Sequence, residues 1–214
     1  MVIAIDGPAG AGKSTVARRL AGRLGFTYLD SGAMYRCLAL AALREGIDAD
    51  DGEALGGLAR RVEISTAGGR AMIDGEDVSE LIRAPEVSAA ASRVLVHGGV
   101  REAIVERQRA MIEAADYVAE GRDIGTVVSP DAPLKLFLTT DDSERARRRS
   151  AETGEELDAV LAAQAIRDAR DRERDHGPLR PANDAVEINT TNMSVDEVVA
   201  RVVGLARERG LASR

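Results

Sequence analysis

The run Gly7-Pro8-Ala9-Gly10-Ala11-Gly12-Lys13-Ser14-Thr15 follows directly on the apolar segment Val2-Ile3-Ala4-Ile5-Asp6 and has the spacing G-x-x-x-x-G-K-S. Phosphate chemistry needs this layout. Glycines let the backbone wrap an anion with its N–H groups turned inward. A helix beginning at Lys13 brings its positive end to the same place. Lys13 supplies a point charge to the terminal phosphates, and the Ser14 hydroxyl is a ligand for Mg²⁺. Gly7 through Thr15 therefore form the candidate cradle for a nucleotide triphosphate. The plainer alternative is a flexible glycine-rich turn before an ordinary helix.

The elements that must hold this loop follow from the apolar pattern. Strand signals lie at 2–6, 27–30, 117–120, 134–139 and 185–189, and helical periodicity at 13–24, 33–45, 98–115, 143–152, 156–174 and 194–208. Short apolar strands alternating with amphipathic helices predict an α/β fold with a buried parallel sheet. Ser194-Val-Asp-Glu197 has the form of a capping box opening the last helix. One segment breaks the alternation. Residues 62–78 hold two short alternating runs around Gly68-Gly69 and then a turn at Asp74-Gly75. That is a hairpin signature in an otherwise parallel protein, so 47–95 is expected to be an inserted subdomain.

Composition sets limits on the rest. The 214 residues suit one main domain with an insertion, and the net charge of −7 argues against a general nucleic-acid binder. No apolar run approaches the ~20 residues of a membrane span. Cys37 is the single cysteine, which excludes an internal disulfide and makes a cytoplasmic location the expectation. His97 and His176 add no metal-ligand spacing. A monomer is expected, with no membrane and no nucleic-acid partner.

The basic residues are nonetheless uneven. Arg145, Arg147, Arg148, Arg149, Arg167, Arg170, Arg172 and Arg174 crowd one stretch that contains no lysine. A solvated, charge-balanced helix face is one reading. A guanidinium clamp on phosphate is the other, and the preference for arginine favours it.

Further stretches narrow the chemistry: Leu29-Asp-Ser-Gly-Ala-Met-Tyr-Arg36, Val100-Arg-Glu102, Glu120-Gly-Arg-Asp-Ile-Gly-Thr126, and Arg167 to Arg174 followed by Pro178-Leu179. With Asp6-Gly7-Pro8, and in this order along the whole chain, they resemble the bacterial cytidylate kinases of the nucleoside monophosphate kinase family. The resemblance implies ATP-dependent phosphorylation of CMP or dCMP with Mg²⁺. It also implies three working parts: a core with a five-stranded parallel sheet flanked by helices (1–46, 96–144 and 177–214), an NMP-binding insertion with a small antiparallel sheet (47–95) and a mobile helical lid (145–176).

The resemblance also implies roles. Lys13, Arg122 and Arg174 are the catalytic cations. Arg36, Arg122 and Arg174 hold the acceptor phosphate. Ser31, Arg167 and Asp171 surround the acceptor sugar, and Ser92, Arg101 and Asp123 read cytosine. Glu120 binds the waters around Mg²⁺, whose direct ligand is Ser14. The aromatics are few (Phe26, Tyr28, Tyr35, Tyr117 and Phe137), so lid arginines such as Arg147 are expected to face the donor nucleotide. Plainer readings stand beside these: Ser31 as a helix cap, Ser92 as a helix-surface serine, Arg101 paired with Glu102 or Glu106, and Glu120 as a charged strand end. Other acceptors (UMP, AMP or shikimate) and a regulatory ATP-binding protein are the alternative functions.

Overall fold

The computed structural model of the chain describes residues 1–66 and 69–211, with the side chain of Glu152 outside the description. Its contacts divide into two compact units, Met1–Phe26 with Asp116–Arg214, and Thr27–Ala115.

In the first unit, strand β1 (Val2–Asp6) is buried at every position, as an apolar strand covered on both faces must be. Helix α1 (Lys13–Leu24) buries Val16, Ala17, Leu20 and Ala21 and stops at Gly25, whose amide bonds back to Ala21. The unit continues with β6 (Tyr117–Gly121), a π-helical turn over Ile124–Val128, β7 (Leu134–Thr139), α6 (Asp142–Thr153), α7 (Leu157–Glu173), β8 (Val186–Asn189) and α8 (Val195–Glu208). The predicted capping box at Ser194 and Glu197 is present. β1 lies parallel between β6 and β7, with Asp6 opposite Gly121 on one side and Phe137 on the other, and β8 continues parallel beyond β7.

The second unit opens with β2 (Thr27–Asp30), which completes the strand order β2-β6-β1-β7-β8 of the expected five-stranded sheet. Helix α2 (Ser31–Glu45) starts two residues earlier than its apolar period suggests, because Asp30 accepts the Ala33 amide and caps it. The segment 47–95 is richer than a hairpin. It holds helix α3 (Gly52–Arg61), a three-stranded antiparallel sheet of β3 (Ile64–Ser65), β4 (Met72–Ile73) and β5 (Glu76–Asp77), and helix α4 (Pro85–Val94). Both helices carry start signals, Asp51 as a side-chain cap and Pro85 in the first turn. The β4–β5 turn falls at Asp74-Gly75, as predicted, with φ of 47° and 83°. Gly68 of the other predicted turn lies outside the described residues. Helix α5 (Gly98–Glu113) packs against α3, and α4 against α2.

Candidate active site

The phosphate loop hangs between the end of β1 and the start of α1. Gly7, at φ 148°, packs so tightly that a Cβ there would lie 2.2 Å from the Leu138 carbonyl oxygen, so no other residue fits. Gly12 takes the N-cap position of α1 in the left-handed region (φ 81°) and no side chain caps the helix. The first-turn amides are thus presented in the way an anion requires.

Lys13 is 5% exposed and donates to the Pro8 carbonyl at 2.8 Å. Burial, assisted by the charges of Arg122 and Arg167 and opposed by Glu120 and Asp6, pushes its ammonium down to about 7. A phosphate in the cradle supplies the negative charge this lysine lacks. Ser14 donates its hydroxyl to the buried Glu120 carboxylate at 2.5 Å, so the two residues expected around Mg²⁺ meet. Among the described residues, no cluster of three or more His, Cys, Asp or Glu could hold a metal. One hydroxyl and one carboxylate fit an ion that takes its remaining ligands from water and phosphate, as Mg²⁺ does.

The turn after β6 carries Arg122 and Asp123. Arg122 donates through Nε to Asp171 on α7 at 2.8 Å. Burial would raise the Asp171 carboxyl, but Arg122, with Arg167 and Arg174 nearby, holds it below the usual carboxylate range. Arg174 leaves the end of α7 in extended backbone. Its side chain is buried, with Nη2 3.7 Å from Asp123 and Nε donating to the Gly177 carbonyl. The Leu179 amide bonds the Asp171 carbonyl at 2.7 Å and fastens the Pro178-Leu179 stretch to the same helix. Arg172 is exposed, which separates it from this network.

The lid arginines divide into two kinds. Arg145 is 1% exposed and holds the Ala9 carbonyl at 2.9 Å, Asp168 at 2.5 Å and Asp142. It braces the phosphate loop against α6 and α7. Arg147 is 65% exposed and pairs with Glu144. Arg148 also pairs with Glu144, and its Nη1 lies 3.9 Å from where a Cβ on Gly12 would sit, so it is Arg148 that reaches the loop. The sequence pattern does not separate these three, because burial in an arginine-rich helix depends on what packs against it.

In the second unit, Asp30 both caps α2 and accepts from Arg36 Nη2 at 3.1 Å. Capping by Ser31 is thereby unnecessary; Ser31 is the buried first residue of the helix. Arg101 is 5% exposed and donates to the Tyr35 hydroxyl at 3.4 Å. Ser92 donates to the Ser88 carbonyl one turn back, the surface-serine arrangement. Cys37 is buried, which pushes its thiol up to about 12 and leaves it inert. Asp6 and Arg145 are site-supporting residues whose importance lies in tertiary contacts, whereas Asp30 acts on the helix that directly follows it.

The family profile described as cytidylate kinase matches residues 3–208. The chain is 46% identical to a cytidylate kinase from Stutzerimonas stutzeri, covering 99% of this chain and 97% of that protein. It is 48% identical to one from Ralstonia pickettii, covering 97% and 92%. It is also 48% identical to one from Geobacillus kaustophilus, covering 97% and 96%. Among solved structures, a shikimate kinase from Bacteroides thetaiotaomicron superposes with a TM-score of 0.51 at 15% identity, covering 97% and 98% of the two chains, a likeness of fold.

Proposed function

This chain belongs to the cytidylate kinase family, and we propose that it transfers the terminal phosphate of ATP to CMP or dCMP, giving CDP or dCDP. The observation that carries the reading is the pair of adjacent parallel strands β1 and β6. The first runs into the phosphate cradle, and the second, in register at Asp6 and Gly121, runs into Arg122 and Asp123. Open α/β sheets bind ligands at such carboxyl ends. A donor cradle beside a buried arginine-carboxylate network suits a kinase with a phosphorylated acceptor. A regulatory ATP-binding protein has no use for the second set of groups.

Phosphoryl transfer asks for position and charge rather than for a protein nucleophile. Lys13, desolvated and fixed by the Pro8 carbonyl, stabilises charge on the moving phosphoryl group. Arg122 and Arg174, aimed by Asp171 and the Gly177 carbonyl, hold the acceptor phosphate together with Arg36. Ser31, Arg167 and Asp171 take the sugar, and Asp123, Arg101 and Ser92 the base. Asp123 suits the cytosine amino group as an acceptor, and Arg101 suits N3 and O2 as a donor. Ser14 and, through water, Glu120 would hold Mg²⁺, which when bound neutralises phosphate charge. The proposed working parts are a core of 1–46, 96–144 and 177–214, the insertion 47–95 and a lid 145–176. Among the described residues no helix is long and apolar enough to cross a membrane.

A coupled assay with ATP and, in turn, CMP, dCMP, UMP, AMP and shikimate tests the reading. CMP and dCMP are expected to exceed the others by ~10² or more in kcat/KM, since hydrogen-bonding sites reject mispaired analogues strongly. Equal or faster turnover of another acceptor overturns it.

A further inference from the structure

Asp6 is the last residue of β1 and stands directly before the phosphate loop. Its side chain is taken up by backbone amides. Oδ1 accepts the Ile124 amide and Oδ2 the Gly125 amide, each at 2.8 Å, and the residue is 4% exposed. These are the first two amides of the π-helical turn Ile124–Val128. A helix start leaves such amides without intrahelical partners, and the residue at the N-cap position normally supplies one from its own side chain.

Here the N-cap position is Asp123, and aspartate is among the best capping residues. Yet Asp123 makes no side-chain cap bond to the turn. A residue 117 positions earlier in the chain does that work with both carboxylate oxygens. The consequence is chemical: the Asp123 carboxylate is withheld from the turn and lies 3.7 Å from Arg174 instead.

We propose that Asp6 is a positioning residue, whose carboxylate caps the 124–128 turn so that Arg122 and Asp123 present their side chains to the acceptor nucleotide. The assignment rests on the reading of Asp123 as a base-facing group. One carboxylate thereby locks the acceptor-side turn to the strand that carries the donor cradle.

The packing around the contact suits this role. A Cβ on Gly125 would lie 3.4 Å from Asp6 Oδ2 and 3.2 Å from Cδ of Lys135, so glycine lets the amide reach the carboxylate. Lys135 runs past the contact and gives its ammonium to Asp184 at 2.8 Å, which leaves Asp6 to the amides. Burial pushes the Asp6 carboxyl up to about 6, against the two amide bonds and the charge of Lys13, with Asp123 adding to the rise. A strand-end carboxylate held in so unfavourable a place calls for a reason, and the turn it caps supplies one.

The test is Asp6→Asn, which keeps the shape but sets an NH₂ donor against one of the two amides. The expected result has four parts. kcat/KM for CMP falls roughly 10–100-fold, the effect of misplacing a binding group by a fraction of a bond length or more. The CMP-to-UMP ratio narrows. The affinity for a non-hydrolysable ATP analogue, measured by titration calorimetry, stays within about threefold. Amide hydrogen exchange at Ile124 and Gly125 in the free protein accelerates about tenfold or more, a readout that needs no activity. Gly125→Ala, which keeps Asp6 but crowds its Oδ2, shifts the same quantities in the same direction and serves if Asp6→Asn fails to fold.

Unchanged protection at both amides overturns the proposal. So does an equal loss of ATP and CMP binding with the CMP-to-UMP ratio intact, which is the pattern of a general structural role. If the wild-type protein does not phosphorylate CMP, the functional reading fails while the exchange measurement still decides what Asp6 does.

Discussion

Lys13 and Arg147 are both cations assigned to the donor nucleotide, and their surroundings could hardly differ more. Lys13 is 5% exposed, bonded to Pro8 and surrounded by charges the fold has fixed. Arg147 sits on the α6–α7 helical pair, 65% exposed and paired with Glu144 three residues away. The first is preorganised, so its charge acts at full strength on whatever enters the cradle. The second spends its charge on water until something covers it, and exposed ion pairs contribute about 0–1 kcal/mol. Arg145 shows that the same helix can do otherwise: at 1% exposure it braces the Ala9 carbonyl and Asp168. Burial rather than charge separates the roles.

The contrast is sharpest in Lys13→Ala. We expect kcat to fall about 10²–10³-fold, the worth of one preorganised charge, with CMP affinity changed only a few-fold. Steady-state kinetics beside direct CMP titration measures both. Near-native turnover would remove Lys13 from the proposed mechanism.

Next in size is Asp171→Asn. It removes the carboxylate that aims Arg122 while keeping the shape, and leaves a part-buried guanidinium with a weaker partner. kcat/KM for CMP is expected to fall about 10–100-fold, roughly 1.5–3 kcal/mol for a hydrogen bond to a charged group. Retention of wild-type kcat/KM would show that Arg122 does not depend on it.

A third prediction concerns protons. The ammonium of Lys13 titrates near 7 in the fold, against the ordinary value of 10.5. Between those values the unfolded chain binds more protons than the folded one, so the free protein gains stability as pH rises through that window. Below it, both states are protonated and the burial penalty is fully present. A bound triphosphate restores the charge on Lys13, so ATP binding at pH 8 takes up a proton. Titration calorimetry in buffers of different ionisation enthalpy reads this directly, and Lys13→Met abolishes it. Proton release on binding by the wild type would contradict the assignment.

The smallest effect is expected at Arg147. Arg147→Ala should lower kcat/KM for ATP by about two- to fivefold, in keeping with a solvated ion pair. Arg148→Ala should do more, because Arg148 lies against Gly12. Hydrogen exchange with a bisubstrate analogue refines the same comparison: α6 and α7 gain protection on closure, while β1, already buried throughout, changes little. An equal response in both would erase the distinction.

The sequence by itself determined the parts that rest on local rules. The cradle was legible because its glycines and Lys13 must follow a strand and open a helix, and β1 and α1 lie at 2–6 and 13–24 as the pattern predicts. The Ser194 cap and the Asp74-Gly75 turn were legible for the same reason, since a cap and a turn are made by neighbours in the chain. The helices α3 and α4 were not: Asp51 and Pro85 mark their starts and α3 buries Leu55, Leu58 and Ala59, but each is only 10 residues long, too short for a helical period to stand out in a segment whose clearest signal is its hairpin. Tertiary structure alone decided which like residue does what. It made Arg145 a brace and Arg147 a solvated cation, and set Asp6 to cap a turn 118 residues away. The physical reason is that desolvation and hydrogen-bond partnership are properties of a place, and places are made by segments far apart in sequence.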